Sequence, residues 1–486
     1  MSAPLQALGL EPVSTILLVP CLSALLLAVL PGYWIAARLN VAASLVTFLV
    51  ALQLLGQRPA AGGYLFVDDL NVVFVVLATF VAFTTSAFSA SYIAHELESG
   101  RLTQRYLRFY HAMYQTLMFA MNLALVANNI GLMWVAIELA TLTTVAMVGI
   151  YRTHEALEAA WKYFILGSVG IALALFGTIL VYMAARPVLG EGQDAMVWTA
   201  LSEKAASFSP ELLNVAFIFL MLGYGTKVGL APLHAWLPDA HAEGPTPISA
   251  VLSGLLLNVA LYAVLRFKML LATIPTAIPP GPLMVTMGLA SVVFAAFMLF
   301  RRRDIKRMFA YSSIEHMGIV TFAFGMGGAL ANFAGLLHMT MHSLTKSAIF
   351  FAVGHIAQGK GTQRLEQIRG LTESHPGLGW GLVLGVIAIA GLPPLGIFMS
   401  EFLIVSSTFA RAPLLAIILV LGLLLALGAL MLRLNEVAFG TPIGETAPVQ
   451  ASYAPLYTHL ALVLTAGVYL PQPLVVWFQS VAHLLG

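Results

Sequence analysis

Apolar residues run through this chain in long unbroken stretches, without the period-2 alternation of a half-buried strand or the single apolar stripe of a surface helix. A helix needs about 17–25 such residues to cross a hydrocarbon core of about 30 Å. Stretches of that kind occur at 14–31, 40–56, 69–93, 111–128, 130–151, 161–184, 212–231, 246–267, 282–300, 308–327, 331–357, 380–410, 413–434 and 455–471, and predict fourteen spans. The expected fold class is an all-α polytopic membrane protein, with residues 1–486 forming a single membrane domain. Between Met1 and Pro12 the only charge is Glu11, and neither a basic segment nor a small-residue cleavage site precedes the first span. That span is expected to stay in the mature protein.

Two spans are interrupted. As one helix, Trp380–Ala410 would run about 45 Å at 1.5 Å per residue, too long for the bilayer core, and Gly391-Leu392-Pro393-Pro394-Leu395-Gly396 supplies a break inside it. In the seventh span Gly223, Gly225 and Gly229 lead into Pro232, and Leu237-Pro238 follows. Interrupted helices in corresponding positions of two halves point to an inverted-repeat transporter with its site at the membrane midplane. Helices 4–8 and 9–13 are the expected repeats, each with its broken member fourth.

Composition agrees with the pattern: 60% of residues are hydrophobic and 9% charged, whereas soluble domains are roughly 45–50% apolar and about 25% charged. A net charge of +2 leaves no excess for nucleic acid or an acidic partner. The single cysteine, Cys21, excludes a disulfide framework, a Cys-ligated iron–sulfur cluster and a zinc-thiolate site. Loops after odd-numbered spans hold fifteen basic residues, among them Arg101, Arg105, Arg108 and the run Arg301–Arg303, Lys306, Arg307; those after even-numbered spans hold six. The positive-inside rule then places odd loops in the cytoplasm and both termini outside it. The run at 301–307 reads as a topological anchor.

The few ionisable groups left inside the spans carry the functional signal, because a charge at the bilayer centre costs about 2.5–3.5 kcal/mol even on insertion scales. Glu138 lies about 12 Å into the fifth span. Lys227 precedes Pro232 by five residues, beside a break where freed carbonyls can solvate an ammonium. Burial disfavours its charge and a nearby carboxylate restores it, which suits a switchable proton carrier. His338, His342 and Lys346 follow at i, i+4 steps on one helical face, a ladder of proton-exchanging groups. Glu401, seven residues past Pro394, can connect that ladder to one side of the membrane. Glu315 and His316 are adjacent and are expected to project to different sides of the tenth span, so that at most one faces a given pathway. Haem is discarded because His338 and His342 share one helix, so that His111 or His316 would have to contribute. His234, Asp239, His241 and Glu243 have the composition of a metal cluster, but the intervening prolines give no fixed ligand geometry. No metal and no cofactor are expected.

The segments Lys227-Val228-Gly229-Leu230-Ala231-Pro232-Leu233-His234-Ala235-Trp236-Leu237-Pro238-Asp239-Ala240-His241, Lys306-Arg307-Met308-Phe309-Ala310-Tyr311-Ser312-Ser313 and Gly391-Leu392-Pro393-Pro394 ahead of Glu401 resemble the antiporter-like subunits of respiratory complex I. That family also includes the large subunits of cation/proton antiporters and membrane-bound hydrogenases. Ser-Ile-Glu-His-Met-Gly at 313–318 is most similar to component F of hydrogenase-4 and formate hydrogenlyase relatives. The resemblance implies a fourteen-helix proton-translocating module with no redox centre, whose core would be residues 69–434. It implies a gating pair in Glu138 and Lys227, a central axis in Lys346, His338 and His342, and an exit group in Glu401. Asn258 stands where many relatives carry a second central lysine, and asparagine cannot hold the extra proton. The expected proton pathway therefore takes in Glu138, Lys227, His234, Asn258, His316, His338, His342, Lys346 and Glu401, with no catalytic residue.

The function expected is that of a membrane subunit of a hydrogenase-4-like redox complex, translocating protons as partner subunits transfer electrons. Other membrane subunits, a soluble redox module and the lipid bilayer are its expected partners, and the bacterial or archaeal cytoplasmic membrane its location. The alternatives are a subunit of a cation/proton antiporter or inorganic-carbon uptake complex of the same fold, or a scaffold whose polar axis no longer conducts.

Overall fold

A computed structural model describes residues 11–444 and 447–486. The reading of Met1 to Pro12 as free of a leader falls largely on residues 1–10, outside the described ones. Among the described residues the chain is helical, with isolated β-bridges and no strand. The principal helices are α1 Pro12–Val29, α2 Tyr33–Ala51, α3 Asp69–Glu98, α4 Gln104–Val126, α5 Ile130–Val148, α6 His154–Leu189, α7 Pro210–Val228, α8 Trp236–Glu243, α9 Thr246–Ala272, α10 Gly281–Leu299, α11 Ile305–Met326, α12 Ala329–Lys360, α13 Pro376–Ile389, α14 Gly396–Arg411, α15 Pro413–Ala438, α16 Tyr453–Val468 and α17 Gln472–Leu484. Each of the fourteen sequence segments falls on one of these helices or on a broken pair of them.

Among the described residues nine helices are long and apolar enough to cross a membrane, or ten if α16 and α17, bent by 81°, form one span. The remaining long helices, α4, α11 and α12, are too polar for that set, and α11 and α12 are the ones that carry most of the candidate residues. The isolated bridges sort the loops by parity. Leu65 pairs with Ala127 and Asn129 with Val197, joining loops after even-numbered spans, whereas Asp304 pairs with Arg364 and Arg369 with Ile443, joining loops after odd-numbered ones. Loops that meet in this way lie on one side of the bundle, as the alternation of spans requires.

Helices pack closely where glycine removes the side chain, the usual device where lipid gives helices no hydrophobic reason to associate. A methyl on Gly177 of α6 would lie 2.7 Å from Leu220 of α7, and one on Gly318 of α11 would lie 2.7 Å from the carbonyl of Gly288 on α10. Both interruptions are present. Helix α7 stops at Gly229, whose φ of +80° ends the helix in the left-handed region, and α8 begins at Trp236. Gly391, at φ +67°, turns the chain between α13 and α14. The Ala231–Pro232 and Pro393–Pro394 bonds within the two breaks are cis.

Part of the basic run at 301–307, expected to act as a topological anchor, is bonded to neighbouring helices. Lys306 is buried and donates to the carbonyls of Ala242 and Gly244 at 3.0 and 2.6 Å, and Arg307 bridges Asp239 and Glu243. The run thus clasps α11 to the end of α8. It also takes Asp239 and Glu243 away from His234 and His241, so those four residues do not converge.

Candidate functional site

The sequence candidates gather into three groups along the bundle. In the first, Glu138 at the middle of α5 faces Lys227 in the last turn of α7, Oε2 to Nζ 3.5 Å, an ion-pair distance longer than a hydrogen bond. Lys227 is 1% exposed and the Glu138 side chain 19%. The ammonium donates to Thr141 Oγ1 at 2.8 Å, and the Thr141 hydroxyl donates onward to the carbonyl of Ile137. Position helps as well, since the C-terminus of a helix carries partial negative charge on its free carbonyls. Gly167 of α6 makes the room: a methyl there would lie 2.9 Å from Lys227 Nζ. Neither Thr141 nor Gly167 is among the sequence candidates.

The second group lies where α9, α11 and α12 meet. Asn258 donates to Gly254 O at 3.1 Å and to Ser343 Oγ at 2.7 Å, on the face of α12 that leads to Lys346. Its Oδ1 is buried without a partner. A π-helical turn at Leu252–Leu256 precedes it, and Ser253 and Ser313 hydroxyls meet at 2.7 Å. Lys346 is fully buried and donates to the carbonyl of Phe309 at 2.7 Å.

The third group joins α11, α12 and α14. His316 Nδ1 and His338 Nε2 are 2.9 Å apart, and His338 Nδ1 is 2.9 Å from Ser400 Oγ. Ser400 gives its only hydrogen to the carbonyl of Ile397, so it must accept from His338. His338 therefore carries its hydrogen on Nδ1, its Nε2 accepts from His316 Nδ1–H, and His316 Nε2 is left as a buried lone pair without a partner. His342 stacks on His316 with ring centres 5.5 Å apart, both of its nitrogens unpartnered. One ligating atom each of His316, His338 and Glu401 lies within 4.8 Å of the others, a set that could hold a metal ion. Because both nitrogens of His338 are already hydrogen-bonded, the arrangement suits a shared proton better. Gly391 faces Glu401 so closely that any side chain there would collide with the carboxylate.

Glu315 is as buried as His316, has an unpartnered Oε2, and lies within electrostatic reach of Lys346 and Glu401, while His316 also feels Lys346. Both neighbours thus lie near the ammonium of Lys346. His234, in contrast, stands in the α7–α8 break against Phe294 and Tyr311, and among the described residues its side chain hydrogen-bonds to no other candidate. Nor does a direct hydrogen bond join the three groups to one another among the described residues. The line is interrupted by orphaned atoms of Asn258, Glu315, His316 and His342.

Residues 127–426 match the family described as NADH:quinone oxidoreductase/Mrp antiporter, transmembrane. A hydrogenase-4 component F homolog from Methylacidiphilum infernorum is 62% identical over 97% of this chain and 99% of its own length. A chain of respiratory complex I from Thermus thermophilus superposes with a TM-score of 0.76 at 25% identity, covering 94% of this chain and 97% of that one. A chain of the membrane-bound sulfane sulfur reductase, an archaeal respiratory membrane complex, reaches a TM-score of 0.87 over 98% of both chains. At 23% identity that is a likeness of fold.

Proposed function

The chain belongs to the NADH:quinone oxidoreductase/Mrp antiporter transmembrane family, and from that premise we propose that it is the proton-translocating membrane subunit of a hydrogenase-4-like redox complex. The observation that carries the reading is the pairing of buried Lys227 with half-buried Glu138 at one end of a set of proton-exchanging groups that ends at Glu401. Redox chemistry in partner subunits perturbs the pair, and Lys227 changes its hold on its proton. A proton then passes by way of Asn258–Ser343 and Lys346 to the His316–His338 chain and Glu401. Buried polar groups without a protein partner are ordinarily satisfied by water, so the orphaned atoms of Asn258, Glu315, His316 and His342 are the positions where water completes the line. His234 is the weakest member of this set.

In this reading residues 69–434 are the conducting core, helices 4–8 and 9–13 of the sequence numbering are its inverted repeats, and the arginine-rich odd loops face the cytoplasm of a bacterial or archaeal cell. Glu138 and Glu401 are the two partly exposed acids at the ends of the axis, which suits membrane subunits seated against both ends. The test is the proton-to-electron ratio of the intact complex in proteoliposomes. Lys227→Ala and Glu401→Ala are each expected to abolish pumping while the complex assembles. Unchanged ratios in both would overturn the route and leave the scaffold reading, which Asn258 in place of a lysine and the lack of direct bonds between groups favour.

A further inference from the structure

On the side of the arginine-rich loops the structure holds a second titratable cluster that the pathway above does not use. Glu96, in the last turn of α3, is fully buried. Its Oε1 accepts from Gln358 Nε2 at 2.8 Å, and its Oε2 has no hydrogen bond, only the Arg101 guanidinium 3.3 Å away. The Arg101 side chain is 56% exposed, its guanidinium 4.8 Å from the centre of the Tyr151 ring. A buried acid whose one ion-pair partner stands in water gains little as a structural pair, because desolvation offsets the attraction. It is well placed to meet protons arriving from that water when the arginine swings aside.

Behind Glu96 the exchangeable groups continue inward. Gln358 also faces His355 Nδ1 at 3.2 Å, and His355 Nε2 accepts the backbone N–H of Ser452, so Nδ1 carries the hydrogen and Gln358 turns its amide N–H toward Glu96. Tyr92, one turn before Glu96, receives a hydrogen bond from Thr246 Oγ1 at 3.3 Å and lies 3.4 Å from the Tyr151 hydroxyl. Thr246 can approach α12 only because residue 354 is glycine: a methyl there would lie 3.0 Å from its Cβ. Next comes His241 of α8, stacked flat on Phe350 with ring centres 4.9 Å apart, both nitrogens buried and unpartnered. It is within electrostatic reach of Lys346 and Lys306. The charged and titratable groups facing Glu96 are Arg101, Tyr92, Tyr151 and, at longer range, Lys306 of α11.

We propose that Glu96 is the proton-loading group of this protein, taking protons from the arginine-rich side and passing them through Tyr92, Thr246 and His241 to Lys346. The proposal rests on the proton-translocating reading above. It is tested in the intact complex in proteoliposomes, with assembly followed by subunit abundance. Glu96→Gln keeps the size and the bond to Gln358 but cannot take up a proton, and is expected to lower the pumping rate at least about tenfold, with Glu96→Asp recovering part of it. Arg105→Ala, an exposed arginine beside the same loop with no bond to Glu96, is expected to pump within about twofold of wild type. If Glu96→Gln pumps normally while Lys227→Ala does not, the entrance is wrong and the axis stands; if both pump normally, the parent reading has failed. Equal loss of assembly in Glu96→Gln and Arg101→Ala would make the pair structural and overturn the proposal.

Discussion

At the α5–α7 end of the axis an acid and a lysine face each other at 3.5 Å, whereas at the α11–α14 end an acid meets two histidines and no cation stands within ion-pair distance of it among the described residues. The first arrangement responds to charge. Moving either partner, or bringing a third charge near, alters how tightly Lys227 holds its proton. The second arrangement responds to geometry, because each histidine offers one hydrogen and one lone pair and their order along His316, His338 and Ser400 is fixed by the serine. Both ends nevertheless share one device. A glycine from a neighbouring segment, Gly167 at one end and Gly391 at the other, leaves space for the head of a charged side chain.

The comparison is broken most directly by neutralising each acid without changing its size. Glu138→Gln and Glu401→Gln are each expected to reduce pumping at least about tenfold, a rise of about 1.4 kcal/mol in the limiting barrier, read as the initial rate of proton uptake into proteoliposomes. Full activity in Glu138→Gln would show that charge is not what the first end supplies. Next come the glycines. Gly167→Ala is expected to cost about fivefold in pumping at normal subunit abundance, since a methyl 2.9 Å from Nζ displaces only the tip of a flexible lysine. Gly391→Ala should lower both pumping and abundance, because its φ of +67° adds roughly 1 kcal/mol of backbone strain to the collision.

Smaller effects separate the hydroxyl groups. Ser400→Ala removes the acceptor that fixes the His338 tautomer, and Thr141→Val removes the acceptor of the Lys227 ammonium; besides a bond within its own helix each loses a hydrogen bond to a titratable group of about 1 kcal/mol, and about threefold to fivefold in rate is expected. A deuterium solvent isotope effect should grow in Ser400→Ala and not in Thr141→Val, since only the first disturbs a chain of proton hops. The smallest change is expected from Asn258→Leu, about threefold, since it removes a polar group that holds water on the line and no group that holds a proton. A loss as large as that of the acids would move the central step to Asn258 and Ser343.

Much of the architecture was legible in the chain before any coordinates. Each of the fourteen apolar segments fell on a helix or a broken pair of helices, and the two glycine–proline interruptions became breaks, since a missing backbone donor and a left-handed turn act locally wherever they occur. Lys227, His338, Lys346 and Glu401 stood out because ionisable groups are costly in hydrocarbon. Gly167, Thr141 and Ser400 did not, because small and hydroxyl residues are ordinary in membrane helices and carry no signal until a neighbour is seen beside them. Glu96 carries no such signal for a different reason: it lies near the end of its helix, where an acid reads as a loop charge. Only its complete burial under Arg101 and Gln358 sets it apart.

The sequence alone determined that this is a helical membrane protein, where its helices break, and which side chains cannot face lipid, because hydrophobic length, backbone chemistry and the cost of burying charge are all local properties. Tertiary structure decided which of those side chains meet. It brought Glu315 near Lys346 and Glu401, left His234 against aromatic rings, and turned a run of basic residues into a clasp between α8 and α11. These outcomes depend on how helices far apart in the chain rotate and approach, and that is set by the packing of many small residues at once, which spacing along one segment does not record.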